Sequence, residues 1–186
     1  MAKRRKGIVG IIGLGIMGGA FAKNLIADGW RVVGFDVDPA AKRAAARAGV
    51  EILKDVAAVA KTTPTIITSL PNPQALDATV AAIAAEKLKR RIVIEASTFT
   101  LEDKLRAEAA LRKAGHTVLD CPVSGTGAQA KTRDLVVYAS GDTAAIRKSK
   151  RLFAGFTRAV YDLGAYGRSE EHTSELQSHS FISYAV

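Results

Sequence analysis

A cluster of glycines placed directly after an apolar run is the feature of this 186-residue sequence that most limits its fold. Residues Ile8–Ile12 form a short apolar run, which is typical of a strand buried on both faces of a sheet. The pattern G-x-G-x-x-G follows at residues 13–18, and apolar residues then recur at helical spacing as far as Gly29. A buried strand that turns through glycines straight into a helix predicts a strand–helix unit of a parallel sheet.

Strand and helix signals alternate along the rest of the chain. Short apolar runs predict further strands at residues 31–35, 65–70, 92–94, 117–119, 135–138 and 158–162. Helices are predicted between them at residues 39–49, 56–60, 73–85, 101–114 and 143–153, preceded by the capping residues Asp38, Asp55, Asn72, Thr100 and Asp142. The alternation predicts one α/β domain of Rossmann type, with a doubly wound, mainly parallel sheet, over residues 1–167.

The composition excludes several other classes of protein. With 48% hydrophobic and 24% charged residues, the chain has an ordinary globular makeup. A single cysteine rules out an internal disulfide. One cysteine and three histidines in the whole chain are too few for a standard structural zinc site. No segment reaches the ~20 apolar residues of a membrane span. We therefore expect a cytoplasmic protein with no metal site and no membrane partner.

The net charge of +9 raises the alternative of a nucleic-acid-binding protein. Apart from a basic cluster at residues 3–6, the lysines and arginines are scattered over predicted helix faces, and aromatic residues that could stack on bases are few. This pattern is typical of a solvated surface, so we expect no nucleic-acid partner.

The last nineteen residues, 168–186, differ from the rest of the chain. They begin with RSEEHTSELQSHS, which contains one aliphatic residue and fits neither a helical nor a strand period. The string is similar to the in-frame translation of a common sequencing-library adapter. We expect residues 168–186 to be an artefactual, unstructured tail.

The glycine pattern and its surroundings indicate a dinucleotide-binding loop. Gly13 allows a tight turn, Gly15 lets the backbone approach a pyrophosphate, and Gly18 lets the helix pack on the strand. The loop lies at the positive end of a helix dipole, which favours phosphate groups. The residues that complete the loop are Leu14, Ile16 and Met17.

Asp36 indicates which dinucleotide is bound. It lies 18 residues after Gly18, at the end of the second predicted strand, where a carboxylate accepts hydrogen bonds from the ribose hydroxyls of the adenosine. A carboxylate there repels the 2′-phosphate of NADP, so NAD is favoured, although Arg43 in the next helix works against this preference. The competing interpretation, in which Asp36 caps that helix, is weaker because Asp38 is better placed to do so.

Two motifs in this order resemble those of the β-hydroxyacid dehydrogenases, the family of 3-hydroxyisobutyrate and 6-phosphogluconate dehydrogenases. Residues 13–25, GLGIMGGAFAKNL, are similar to the family signature GLGxMGxxxAxNL, and residues 120–125, DCPVSG, are similar to its substrate-loop sequence DAPVSGG. The resemblance implies hydride transfer between the nicotinamide of NAD and a short 3-hydroxy acid such as 3-hydroxyisobutyrate. It also implies that the parent protein is a homo-oligomer.

The resemblance assigns roles to residues beyond the glycine loop. Leu70 and Pro71 would contact the adenosine side of NAD, and Thr98 would lie at its nicotinamide end. Ser124 and Gly125 would hold the substrate carboxylate through a hydroxyl and a backbone N–H group.

The family's general base is a lysine in a motif resembling GxxGxGxxxK, on a helix beyond the Rossmann domain. Residues 164–167, GAYG, are similar to the start of that motif, but no lysine follows Lys150. The resemblance therefore implies that the lysine and the family's all-helical second domain are missing, so that the chain binds the cofactor but is nearly inactive. Thr126 replaces the second glycine of the family's substrate loop, so the sequence does not identify which hydroxy acid is the substrate. Cys121 is expected to be a core residue.

Two other functions remain open from the sequence. One is an NADPH-dependent reductase of aldehyde acids or imines, which the carboxylate of Asp36 disfavours. The other is a non-catalytic nucleotide-binding domain.

Overall fold

The computed structural model of the chain describes residues 6–169, which form seven helices and nine strands. In chain order the elements are β1 (Ile8–Ile12), α1 (Ile16–Ala27), β2 (Arg31–Phe35), α2 (Pro39–Arg47), β3 (Glu51–Ile52), α3 (Val56–Thr62), β4 (Thr65–Thr68), α4 (Pro73–Ala84), β5 (Ile92–Glu95), α5 (Leu101–Lys113), β6 (Thr117–Asp120), β7 (Val123–Ser124), α6 (Gly127–Lys131), β8 (Val136–Gly141), α7 (Thr143–Phe153) and β9 (Ala159–Asp162). Every strand and helix expected from the sequence is present. Three further elements, β3, β7 and α6, are too short to show a period in the sequence.

The strands form one sheet in the order β3-β2-β1-β4-β5-β6-β8-β7, with β9 paired to β8. The first six strands in this order, β3, β2, β1, β4, β5 and β6, are parallel, whereas β8 runs antiparallel to β6 and β7. The predicted Rossmann-type, mainly parallel sheet is confirmed. Since the chain leaves β1 towards β2 on one side and returns to β4 on the other, the switch point lies at the carboxyl ends of β1 and β4.

Apolar clusters on both faces of the sheet form the core. Along β1, Val9 and Ile11 belong to one cluster and Ile12 belongs to the other, as the alternation of side chains along a strand requires. The first cluster includes residues of α1 and α7, and the ring of Phe21 on α1 lies 4.7 Å from that of Phe156, just after α7, between centroids. The second includes α3, α4 and α5. Among residues 6–169, no helix has both the length and the apolar character that a membrane crossing needs.

A buried amide joins α6 to α1. The Nδ2 group of Asn24 donates to the carbonyl oxygen of Ala130 at 2.7 Å, and the Arg133 guanidinium donates to the carbonyl oxygen of Asn24 at 3.2 Å. At the start of α6, a Cβ added to Gly127 would lie 2.7 Å from a methyl carbon of Ile16. These contacts hold the loop between β7 and α6 beside the first turn of α1.

Only two residues of the expected unstructured tail, Arg168 and Ser169, belong to the described part of the chain. The Ser169 side chain is buried and its hydroxyl donates to the Asp120 carboxylate. The rest of that expectation concerns residues 170–186, which lie outside the described residues.

Candidate functional site

A cleft of about 660 Å³ opens at the carboxyl ends of β1, β2 and β4. Its size is within the usual range for a small-molecule or cofactor site, and its position is the switch point where such ligands bind in open parallel sheets. Seven of the residues singled out from the sequence line it: Gly13, Gly15, Ile16, Met17, Asp36, Leu70 and Pro71. The fold therefore brings together residues that are up to 58 positions apart in the chain.

The turn from β1 into α1 depends on two glycines. Gly13 has a φ of +88°, and a Cβ at this position would lie 2.0 Å from the carbonyl oxygen of Ser69. A Cβ on Gly18 would lie 1.9 Å from the carbonyl oxygen of Gly13. Neither contact is possible for another residue without moving the backbone, so these glycines let α1 begin directly against β1 and β4.

The first turn of α1 differs from that of the other six helices in residues 6–169. Side chains cap α2 to α7, whereas Gly15 at the start of α1 offers none. A Cβ built on Gly15 would meet no atom within 4 Å, although this residue lines the cleft. The uncapped N–H groups of a twelve-residue helix thus begin beside open space, an arrangement that favours an anionic group.

Asp36 is tied to the glycine loop by its carboxylate. Its Oδ2 atom accepts the backbone N–H of Leu14 at 2.6 Å, and its Oδ1 atom accepts the N–H of Asp38 at 2.8 Å. The helix α2 is capped instead by Asp38, which accepts from the N–H groups of Ala40 and Ala41. Each Asp36 oxygen keeps a free lone pair, so the half-buried carboxylate can still accept hydrogen bonds from a ligand in the cleft.

The wall of the cleft opposite Asp36 is fixed by Ser97, which precedes Thr98 and to which the sequence motifs assigned no role of its own. The N–H of Leu70 donates to Ser97 Oγ at 2.8 Å, and Ser97 is buried. Nothing in the sequence marks this contact, because it joins loops 27 residues apart. Thr98, the neighbour expected at the nicotinamide end, is exposed and does not line the cleft.

The expected substrate loop lies outside the cleft lining. Ser124 and Gly125 are both exposed, and Gly125 has a φ of +138°. Thr126 caps α6 by accepting from the N–H of Gln129, whose side chain accepts from the Thr126 N–H in return. Leu14 and Gly18 are likewise absent from the lining of the cleft. They act on the conformation of the glycine loop, Leu14 through its N–H bond to Asp36 and Gly18 through its close approach to Gly13.

A buried cluster of charged groups lies beneath the loops that follow β5 and β6. Lys104 Nζ is 2.8 Å from Asp120 Oδ1, and the two side chains are 1% and 0% exposed. Glu95 is paired in register with Asp120 and is 2% exposed. Burial raises the pKa of Glu95 to about 7, although hydrogen bonds from Ser97 oppose this.

Cys121 lies next to this cluster and is fully buried. Burial raises the pKa of its thiol well above the ordinary value, and the neighbouring carboxylates act in the same direction. The structure therefore agrees with a core position rather than a nucleophilic one. Among residues 6–169, no group of acidic, histidine and cysteine side chains could hold a metal ion.

A glycine turn between a buried strand and a helix, with an acidic residue ending the second strand, defines a dinucleotide-binding domain. The chain belongs to the family described as the NAD binding domain of 6-phosphogluconate dehydrogenase, which matches residues 8–164. The resemblance seen in the sequence motifs is thereby confirmed.

Two curated relatives and one solved structure illustrate this membership. The probable 3-hydroxyisobutyrate dehydrogenase of Mycobacterium tuberculosis is 26% identical over 162 residues, 87% of this chain and 55% of that protein. The NAD-dependent L-serine dehydrogenase of Pseudomonas aeruginosa is 28% identical over 165 residues, with the same coverage. The M. tuberculosis 3-hydroxyisobutyrate dehydrogenase structure with L-serine is 26% identical, with a TM-score of 0.86 over 89% of this chain and 57% of that chain. The chain thus spans about half the length of the curated relatives it matches.

The geometry of the glycine loop predicts losses of stability of different size for two alanine substitutions. Gly18→Ala places a Cβ 1.9 Å from a backbone oxygen and should lower the free energy of unfolding by about 3 kcal/mol. Gly15→Ala meets no atom within 4 Å and should cost less than about 1 kcal/mol. Urea unfolding of both variants measures the difference, and equal losses of stability would contradict this account of the turn.

Proposed function

We propose that this chain is the cofactor-binding domain of an NAD-dependent oxidoreductase that acts on a short 3-hydroxy acid resembling 3-hydroxyisobutyrate. The observation that carries the proposal is the cleft, in which the uncapped start of α1 and the carboxylate of Asp36 line one space. The hydrogen bond from the Leu14 N–H to Asp36 holds these two features together. The start of α1 would bind the pyrophosphate of the cofactor, and the Asp36 carboxylate would accept hydrogen bonds from the hydroxyls of its ribose.

The residues present fit such a cofactor. Gly15 leaves room for a diphosphate beside the N–H groups of α1, and the apolar residues Val37, Leu70 and Pro71 line the cleft on either side of the position proposed for the adenosine. When bound, the nicotinamide accepts or supplies the hydride. The Ser124 hydroxyl and the Gly125 N–H are proposed to hold the substrate carboxylate, because their loop is kept beside the first turn of α1.

Asp36 supports NAD over NADP. Its carboxylate is fixed by two backbone N–H groups, so it cannot easily turn away from a 2′-phosphate. Arg43, the residue that would favour a phosphate, is exposed on α2. A negative charge held at the ribose end disfavours NADP by electrostatic repulsion.

Asp36→Asn tests this assignment because it removes the charge and keeps the size of the side chain. We expect the unaltered chain to bind NAD with a Kd below about 1 mM. In the variant the Kd for NAD should rise roughly tenfold, since a hydrogen bond to a charged group is lost, while NADP binding should weaken less or improve. Isothermal titration calorimetry measures both constants.

Glu51→Gln serves as the matched control, because it removes a carboxylate on β3 that pairs with Arg31 and does not line the cleft. Its Kd for NAD should equal that of the unaltered chain. The cofactor assignment is wrong if the folded chain binds neither dinucleotide, and the role of Asp36 is wrong if both variants bind NAD equally.

We further propose that these 186 residues alone turn over substrate slowly. Residues 151–186 contain no lysine, and a positioned base contributes about 10²–10⁴-fold to such reactions. With NAD and either 3-hydroxyisobutyrate or L-serine, the rate of NADH formation should fall short of that of a full-length relative by a factor of this order. Turnover equal to the relative's, measured side by side, would show that the chain supplies its own base.

A further inference from the structure

A buried chain of two hydrogen bonds connects the end of β5 to the wall of the cleft. The Ser97 N–H donates to Glu95 Oε1 at 2.9 Å, and Ser97 Oγ accepts the N–H of Leu70 at 2.8 Å. Glu95 and Ser97 are 2% and 7% exposed, so water does not compete effectively for these bonds. Leu70 itself lines the cleft.

The hydrogen bond between Leu70 and Ser97 lies just beyond the last backbone pair of β4 and β5. The pairing of β4 with β5 stops at Thr68 opposite Glu95, and the Ser69 N–H turns to the Ile12 carbonyl oxygen on the other side. The next donor, the Leu70 N–H, is held by the Ser97 side chain. The position of the loop at residues 69–71, and with it this wall of the cleft, therefore depends on a serine hydroxyl.

We propose that Ser97 and Glu95 are positioning residues for cofactor binding: Ser97 fixes the Leu70 backbone at the wall of the cleft, and Glu95 fixes Ser97. The inference deepens the proposed function and depends on it, because it concerns how the same cleft is kept in a binding shape. Neither side chain is required to touch the cofactor.

The surroundings of Glu95 make this link sensitive to pH. The charged and titratable groups around it are Lys104 from α5, Asp120 and Cys121 from the end of β6, and Tyr166 beyond β9. Within the described residues, Glu95 Oε2 has no hydrogen-bond partner. Burial raises the pKa of Glu95 from 4.5 to about 7, so this carboxyl changes its charge near neutrality.

The sign of the effect follows from linkage. Because the hydrogen bonds from Ser97 lower the pKa of Glu95, the ionised carboxylate must hold Ser97 more tightly than the protonated form does. Cofactor affinity should therefore rise as the pH rises through about 7. The global stability changes in the opposite direction: the contribution of Glu95 is fully present below pH 4.5 and is lost as the pH rises through about 7.

The experiment compares the unaltered 186-residue chain with four variants, each of which carries a single substitution. Ser97→Ala removes the acceptor for Leu70, Ser97→Thr keeps a hydroxyl there, and Glu95→Gln keeps an acceptor but cannot ionise. Ser149→Ala is the matched control, since Ser149 is a buried serine on α7 that does not line the cleft. Two quantities are measured: the exchange rate of the Leu70 amide by NMR without cofactor, and the Kd for NAD by calorimetry between pH 6 and 8.5.

In Ser97→Ala the Leu70 amide should exchange about fivefold faster and the Kd for NAD should rise by a similar factor, as the loss of one hydrogen bond predicts. Ser97→Thr should restore both values, and Ser149→Ala should change neither. The Kd of the unaltered chain should fall as the pH rises from 6 to 8.5. In Glu95→Gln the Kd should keep one value across this range, whereas Ser149→Ala should show the same fall as the unaltered chain.

Unchanged exchange and unchanged Kd in Ser97→Ala would overturn the proposal, as would a Glu95→Gln variant with the pH profile of the unaltered chain. If Ser97→Ala does not fold, Glu95→Gln still decides the question through the pH profile of the Kd. If the unaltered chain binds no NAD, the proposed function fails and this proposal fails with it as a statement about binding. A Leu70 amide that still responds to Ser97→Ala would then show that the hydrogen bond exists without serving a cofactor.

Discussion

The close approach of Gly18 to the carbonyl oxygen of Gly13 is the constraint on which the rest of the site depends. At the 1.9 Å that an added Cβ would leave, only glycine lets α1 start immediately after β1. This start places the first N–H groups of the helix at the switch point, at the carboxyl end of β1, which pairs with β2 on one side and with β4 on the other. Asp36 then ties the loop to the end of β2 through the Leu14 N–H, so loop, helix and carboxylate form one wall of the cleft.

The opposite wall is held by a side-chain hydrogen bond between two loops. Ser97 supports Leu70, and behind Ser97 lies a buried set of two carboxyls and one ammonium group: Glu95, Asp120 and Lys104. Such a cluster costs desolvation free energy, which the 2.8 Å ion pair and the hydrogen bonds counteract. Because Glu95 and Asp120 end adjacent strands, the same cluster lies under both the loop after β5 and the loop after β6. Through Ser97, hydrogen bonds connect Glu95 of this cluster to Leu70 in the wall of the cleft.

Much of this arrangement could be predicted from the sequence because it rests on local patterns. The apolar run of β1, the glycines after it and the capping residue before α2 act over a few residues, and Asp36 follows from a fixed spacing. The Ser97–Leu70 bond could not be predicted, since it depends on the distance between two loops in the folded chain. Lys104 resembles any solvent-facing lysine of an amphipathic helix, yet it is 1% exposed because Asp120 receives its ammonium group. The short elements β7 and α6, which position the expected substrate loop, have too few residues to show a period.

The central claim, that a dinucleotide lies along the start of α1 with its ribose at Asp36, is tested most directly by mapping amide chemical shifts during a titration with NAD. The account predicts that the largest changes occur at Gly15, Ile16 and Asp36, with smaller ones at Leu70 on the opposite wall. It would be contradicted by shifts that cluster elsewhere on the domain, or by a spectrum of the folded chain that stays unchanged at millimolar NAD.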